Sequence, residues 1–281
     1  MRKLKKMLSF KHYSKIEVQD EIIEFCKGRW VAFHYKNLEK LIFRRYLNSK
    51  PIVIKKREDI ISLLKKFNIR TFYATANKYK KIESIEDIHF SNAYLCTPTW
   101  DIDGKIENWQ DTIKIVREIL SILENEGVNK SVFIKWSGNG CHIHIHEEAI
   151  SSDILNKANP LDFAYSIVEY INQKIMQKIV NKFIKIENRM DTLRVFTTPL
   201  SLHRELNVVC ICFKFNEIDN FSIEWTNIEN FKHNKNWREF EKGEADNLAL
   251  KAYKIIGGYP LRRKRKHKKL DEEIIEWLKK L

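Results

Sequence analysis

The sequence Tyr94-Leu-Cys-Thr-Pro-Thr-Trp-Asp-Ile-Asp-Gly104 places two aspartates at the end of an apolar run. If residues 100–103 are extended, side chains alternate between the two faces, so Asp101 and Asp103 point the same way. Two adjacent carboxylates repel each other, and a divalent cation between them removes that repulsion. The pattern is therefore typical of a Mg²⁺ or Mn²⁺ site that handles phosphates. Taken alone, however, Asp-x-Asp before a glycine favours an ordinary turn.

The composition indicates a folded protein without a membrane span. Hydrophobic residues make up 43% of the 281 residues and aromatic residues 12%, enough for one large domain or one domain with appendages. No run of about 18 apolar residues occurs, so we predict no membrane span. We expect a cytoplasmic, nucleoid-associated protein, in which cysteines stay reduced. Five scattered cysteines suit reduced thiols. Cys210 and Cys212 have no second Cys/His pair at zinc spacing, so we predict no structural zinc.

The net charge of +14 favours polyanionic partners such as nucleic acid or nucleotides. A lysine-rich proteome would produce the same excess, and charge alone does not separate the two explanations. One segment concentrates the charge: Arg262, Arg263, Lys264 and Arg265 begin a basic run that continues to Lys269. We predict that this run contacts a nucleic-acid backbone. An amphipathic helix follows over 270–281, so we divide the chain into a catalytic domain, 1–260, and a basic terminal segment, 261–281.

Helical spacing of apolar residues predicts helices, and runs of β-branched and aromatic residues predict strands. The predicted helices cover residues 17–27, 37–47, 57–67, 110–126 and 160–182. The predicted strands cover residues 29–34, 69–75, 130–136, 141–146, 183–187 and 207–215, together with the apolar leader into Asp101. Strands 130–136 and 141–146 form a predicted hairpin. Asp191 is predicted to cap a short helix that stops before Pro199.

A second polar segment, Lys135-Trp-Ser-Gly-Asn-Gly-Cys-His142, joins the two strands of that hairpin. Glycines in a tight turn expose backbone N–H groups that can hold a phosphate. Ser137 can add its hydroxyl, and His142 can donate a ring N–H to a phosphate oxygen. The alternative is a glycine-rich hairpin turn with no ligand.

The same strand permits a different site. His142, His144 and His146 alternate along it and therefore share one face. Three imidazoles on one face could bind zinc or iron, with Glu147 as an acidic partner. The serine and the glycines next to them have no role in such a site, so we rank it below phosphate binding.

A third segment, Ile186-Glu-Asn-Arg-Met-Asp-Thr-Leu-Arg-Val-Phe-Thr-Thr-Pro-Leu-Ser-Leu-His203, adds a carboxylate, a basic residue and a histidine. The three segments, in this order, resemble the archaeo-eukaryotic primase superfamily, specifically the catalytic small subunit of archaeal and eukaryotic DNA primases. The residues that carry the resemblance are Trp100-Asp-Ile-Asp103, Ser137-Gly-Asn-Gly-Cys-His142, Pro199-Leu-Ser-Leu-His203 and, upstream, Thr71-Phe-Tyr-Ala-Thr-Ala-Asn-Lys-Tyr79. The resemblance covers roughly residues 29–215.

This resemblance implies an α/β (α+β) primase-polymerase catalytic core, with a mixed or antiparallel sheet flanked by helices. It also implies template-directed nucleotidyl transfer with Mg²⁺ or Mn²⁺ on single-stranded DNA, from nucleoside triphosphates, with a primase large subunit as a further partner. Asp101, Asp103 and a third carboxylate would be the catalytic metal ligands. The triphosphate would contact Ser137, Gly138, Gly140, His142, Arg194 and His203. Nucleic-acid backbones would contact Lys78 and Lys135 as well as the basic run.

Three departures from the family pattern leave alternatives open. Asn139 stands alone where the family has one more residue, often arginine, and Thr197 replaces a basic residue. For the third carboxylate, Asp191 fits the hydrophobic-then-Asp pattern, whereas Glu187 ends a predicted strand; we lean slightly to Asp191 and keep both. The rival hypotheses are a catalytically inactive nucleic-acid-binding relative and a histidine-cluster metalloenzyme.

Overall fold

The computed structural model of the protein describes residues 2–38, 40–176 and 185–260. The α-helices of this part are α1 Arg2–Tyr13, α2 Ile16–Cys26, α3 Arg57–Lys66, α4 Trp109–Asn125, α5 Ser152–Leu155, α6 Pro160–Met176 and α7 Asp246–Ile256. The strands are β1 Val31–Asn37, β2 Lys40–Arg44, β3 Tyr46–Leu47, β4 Lys50–Pro51, β5 Ile69–Thr75, β6 Asn77–Tyr79, β7 Ala93–Cys96, β8 Thr99–Asp103, β9 Val132–Trp136, β10 Gly140–Ile145, β11 Lys185–Glu187, β12 Val195–Thr197 and β13 Ile211–Lys214.

A five-stranded antiparallel sheet, in the order β11-β8-β10-β9-β13, forms the centre of the fold. One of its faces is apolar, with Trp100, Ile102 and Ile143 fully buried. Helices α4 and α6 pack over the sheet at β10 and β8. The buried face of α4 is formed by Ile113, Val116, Ile119, Leu120 and Leu123. Each such side chain contributes about 1.5–3 kcal/mol when it leaves water, so this face anchors the sheet.

A second antiparallel sheet, in the order β12-β5-β1-β2, packs beside the first. Phe196 of β12 is buried and its ring centroid lies 5.1 Å from that of His142 and 5.6 Å from that of His144, both on β10. The second sheet thus meets the face of the first sheet that α4 and α6 leave uncovered. That contact places the ends of β8, β10 and β12 close together.

The predicted fold class is confirmed: antiparallel sheets are flanked by helices. Strand β5 coincides with the predicted strand 69–75, and β9 and β10 pair as the predicted hairpin. The helix predicted over 37–47 is wrong, because this segment turns at Leu38 (φ 55°) and returns as β2, paired with β1. The short helix predicted after Asp191 is also wrong, since residues 195–197 form β12 and pair with β5.

The basic run and the terminal helix predicted over 261–281 lie outside the described residues, as do Arg262, Arg263, Lys264 and Arg265. The end of the helix predicted over 160–182 lies outside them too. In the part of the chain that the structure describes, no helix is both long enough and apolar enough to cross a membrane.

Candidate active site

Three site residues predicted from separate segments form one row across the five-stranded sheet. Asp101 of β8 pairs with His142 of β10 on one side and with Glu187 of β11 on the other. Residues directly opposite each other in antiparallel strands project from the same face. Asp103 lies two residues along β8 and shares that face. Strand pairing therefore brings three carboxylates and an imidazole to one edge of the site.

The three carboxylates converge on a single guanidinium, that of Arg189. Its nitrogens lie 3.2 Å from Asp101 Oδ2, 2.8 Å from Asp103 Oδ2 and 3.0 Å from Glu187 Oε2. Arg194 also pairs with Asp101 Oδ2. Three carboxylates around one positive charge form a set of hard oxygen donors, the kind that Mg²⁺ and Mn²⁺ prefer. The Arg189 guanidinium lies between these carboxylates. In the described ranges, no group of three acidic, histidine or cysteine side chains is arranged to hold a metal ion.

Asp101 is the most constrained of these acids. Burial by itself would raise its pKa, but the hydrogen bond and charge of His142 and the nearby Arg194 and Arg189 outweigh burial and lower the pKa below the ordinary value. His142 Nε2 lies 3.2 Å from Asp101 Oδ1. Burial lowers the pKa of His142, although Asp101 raises it in part. The ring of His142 therefore contacts the Asp101 carboxylate, and the contact with a phosphate that the sequence suggested stays a prediction.

The glycine turn between β9 and β10 packs against His203. Gly138 has φ 130°, and a Cβ built on it would lie 2.5 Å from Cδ2 of His203. The ring of His203 accepts the backbone N–H of Leu206 at Nδ1, at 2.9 Å. Because Nδ1 is an acceptor, the proton of the neutral ring resides on Nε2. The turn and the histidine thus form one wall, as the sequence motif predicted.

A buried arginine holds the chain around His203. Nη2 of Arg70 donates to the backbone oxygens of His203, at 3.2 Å, and of Leu206, at 3.0 Å. Arg70 is 2% exposed. This residue escaped the sequence motifs, because an arginine inside an apolar strand gives no signal of what its side chain reaches.

A pocket of about 330 Å³ collects most of the predicted nucleotide-binding groups. Its walls are formed by Tyr73, Asp101, Asp103, Ser137, Asn139, Gly140, His142, Arg189, Arg194, Val195, Phe196, Thr197, His203 and Arg204. Its volume is in the range of small-molecule sites. Of the lining residues, Tyr73, Arg189 and Arg204 had no predicted role. Arg189 follows Glu187 by two residues at the end of a strand. This spacing would have indicated that the side chains of Arg189 and Glu187 share one face and contact each other.

The structure favours Glu187 over Asp191 as the third carboxylate, which reverses our preference. Glu187 lies opposite Asp101 because β11 pairs with β8. Asp191 instead accepts the backbone N–H of Leu193 through Oδ1, at 2.6 Å. Its carboxylate thus stabilises a turn, whereas that of Glu187 contacts Arg189 together with Asp101 and Asp103. Only the strand register distinguishes the two acids.

The predicted contacts of Lys78 and Lys135 with nucleic acid are wrong, because both charges are committed inside the protein. Lys78 Nζ lies 2.6 Å from Oε1 of Glu147, in a buried network that also includes Arg29 at 2.8 Å. Lys135 is fully buried, with Nζ 4.2 Å from the centroid of Phe25. The ammonium group of Lys135 cannot reach a phosphate backbone, and that of Lys78 is held by Glu147.

The three histidines of β10 and its end do not converge. His144 is buried, stacks on Phe133 and shares a hydrogen bond with Thr99 through Nδ1. His146 stacks on Phe240, with a centroid distance of 4.4 Å. The geometry therefore argues against the histidine-cluster metalloenzyme.

Comparison with solved structures places this architecture among polymerase-domain folds. The structure is similar to that of the polymerase domain of Mycobacterium tuberculosis ligase D in complex with DNA, with a TM-score of 0.56 and 12% sequence identity over 90% of each chain. No protein-family model matches the sequence, and a search of curated proteins found no match. At this identity the likeness establishes the fold.

Proposed function

We propose that the protein is a template-directed nucleotidyltransferase, a primase-polymerase that uses nucleoside triphosphates and Mg²⁺ or Mn²⁺. The observation that carries the proposal is the convergence of three far-separated segments on one pocket. Asp101 and Asp103 line the pocket, with Glu187 beside Asp101 on the neighbouring strand, and Ser137, Gly140 and His203 line it as well. The fold shared with a polymerase domain supports the same conclusion.

Asp101, Asp103 and Glu187 would hold the divalent cations. Bound there, the ions would activate the attacking 3′-hydroxyl and neutralise charge on the departing pyrophosphate. Cations and the Arg189 guanidinium compete for the same carboxylates, because Arg189 now contacts all three. The glycine turn and His203 would bind the triphosphate: His203 would donate its Nε2 proton and Ser137 its hydroxyl. Single-stranded DNA is the proposed template, while the large subunit and the nucleoid location stay predictions from the sequence.

The test is incorporation of labelled nucleotide on a single-stranded or primed DNA template with Mn²⁺. Asp101→Asn keeps the shape of the side chain and removes its charge, so we expect activity to fall about 10³-fold, which corresponds to roughly 4 kcal/mol. Asp103→Asn should behave alike; this side chain is 60% exposed, so the change leaves folding largely intact. The control is Asp111→Asn on α4, an exposed residue paired only with Lys114 in the described part of the chain. Full activity in either site variant would refute the assignment.

A second candidate is a nucleic-acid-binding protein that keeps this fold without turnover. It is favoured by Arg189, whose guanidinium already contacts the three carboxylates, and by Thr197, which lines the pocket where the family has a basic residue. The same assay separates the two: template binding without incorporation at any Mg²⁺ or Mn²⁺ concentration supports this candidate.

A further inference from the structure

Three aromatic rings lie together on the second sheet, on the face opposite its buried phenylalanines. His34 of β1 pairs with Phe43 of β2, and Tyr73 belongs to the neighbouring strand β5. The ring centroids are 4.9 Å apart for His34 and Phe43, 5.3 Å for His34 and Tyr73, and 5.9 Å for Phe43 and Tyr73. We call these three residues the aromatic platform. Its alternation with the buried Phe33 and Phe72 shows that it occupies the opposite face of the sheet.

The aromatic platform is open at one end and joins the pocket at the other. Phe43 is 39% exposed. Tyr73 lines the pocket that contains Asp101, and its hydroxyl lies 2.9 Å from Nδ1 of His34. An aromatic surface that leads directly out of a polar pocket is positioned to contact whatever adjoins the pocket's ligand.

Cationic groups border the aromatic platform. The guanidinium of Arg45 lies 5.0 Å from the centroid of Phe43. Arg204 lines the same pocket as Tyr73. Burial, together with the charge of Arg204, lowers the pKa of His34 to about 4. The imidazole is therefore neutral at pH 7, and Glu205 is the one acid that acts on it among the described residues. The rings meet at interplanar angles of 52°, 79° and 68°, so the exposed ring of the group is that of Phe43. A neutral ring beside a guanidinium is complementary to an unpaired base on an anionic backbone.

We propose that the aromatic platform stacks the bases of single-stranded template DNA where the strand leaves the nucleotide pocket. This inference rests on the proposed function, because the adjoining pocket is where the templated nucleotide would bind. Stacking on a neutral ring tolerates any base, as a template reader must. Arg45 and Arg204 would contact the phosphates on either side of the rings.

The test measures binding of a short oligothymidine to the full chain by fluorescence anisotropy, with chelator and without nucleotide. Removal of a stacking ring typically weakens binding by about 5- to 100-fold, so we expect a loss of that size in Phe43→Ala. The matched control is Phe240→Ala: this phenylalanine is 40% exposed and stacks on His146, past the far end of β10. An abasic oligonucleotide of equal length should bind both variants and the parent equally.

Three outcomes would overturn the proposal: Phe43→Ala binding like the parent, Phe240→Ala losing as much, or the abasic strand showing the same loss. Crosslinking gives an independent check, because an iodinated base on the parent protein should attach within the aromatic platform. Failure of the proposed function is distinguishable. If the parent never incorporates nucleotide but binds DNA in a Phe43-dependent way, the aromatic platform stands and the polymerase does not. If the parent incorporates nucleotide and Phe43→Ala binds DNA as the parent does, the polymerase stands and the aromatic platform does not.

Discussion

Removal of the Arg189 guanidinium should make the stability of this protein depend on divalent cations. In the parent, this one positive charge contacts Asp101, Asp103 and Glu187. The variant Arg189→Ala removes the positive charge that these three carboxylates share, while Arg194 and His142 stay beside Asp101. Mutual repulsion should then destabilise the folded state until a cation replaces the guanidinium.

The magnitude follows from the exposure of the partners. The side chain of Asp103 is 60% exposed and that of Glu187 40%, so solvent screening reduces each pair to about 0.2–1 kcal/mol. Asp101 is only 11% exposed and its pair costs more to break, but Arg194 still neutralises it. We expect a total loss of about 1–3 kcal/mol. At roughly 2 °C per kcal/mol for a chain of this length, Tm should fall by about 2–6 °C.

Thermal unfolding with and without Mn²⁺ checks the prediction. At 100 times its Kd, a ligand that binds only the folded state adds about 2.7 kcal/mol, which is roughly 5 °C here. We expect Arg189→Ala to gain more from Mn²⁺ than the parent does, since the competing guanidinium is gone. The control is Arg57→Ala, which removes a bidentate surface pair with Asp20 at 2.8 Å. It should lose little and respond to Mn²⁺ as the parent does. An Mn²⁺ response in Arg189→Ala no larger than in the parent would refute a cation site at these carboxylates.

Two further variants test the contact between the glycine turn and His203, and the buried lysine. Gly138→Ala should displace His203 and weaken nucleotide binding about tenfold. The control Gly127→Ala also places a side chain at a positive φ, but with nothing within 4 Å, so it should lose only stability, by about 1–2 kcal/mol. Isothermal titration measures the nucleotide affinity and thermal unfolding the stability; equal nucleotide affinity in Gly138→Ala and the parent would contradict the contact with His203. Burial lowers the pKa of Lys135 from 10.5 to about 8. Between these two pH values the unfolded state therefore binds more protons than the folded state does. The free energy of unfolding of the parent should consequently rise with pH over this range. Lys135→Met should remove that rise with pH and add about 1–3 kcal/mol to the free energy of unfolding at pH 7, which denaturant titrations would show. Its affinity for the oligonucleotide, measured by anisotropy, should be unchanged. A lower free energy of unfolding in the variant would indicate that the ammonium has a stabilising partner.

Local patterns were sufficient for most of the strands and for the two aspartates. Strand β5, the β9–β10 hairpin and helix α4 follow from alternation or helical spacing within a few residues. Where a segment supported two periodicities, the sequence alone was insufficient. Residues 37–47 have helical spacing, but β1 supplies hydrogen bonds along β2, and that pairing outweighs an intrinsic preference.

Most residues of the candidate site could therefore be predicted from the sequence. Their positions relative to each other depend on contacts between distant segments. Short motifs were enough to single out Asp101, Asp103 and the glycine turn, and the family resemblance added His203. The preference for Glu187 over Asp191 required the register between β11 and β8, and the commitment of Lys135 to the interior required the packing of β9. Register and burial depend on partners far along the chain, and a one-residue shift would turn every side chain of a strand to the other face.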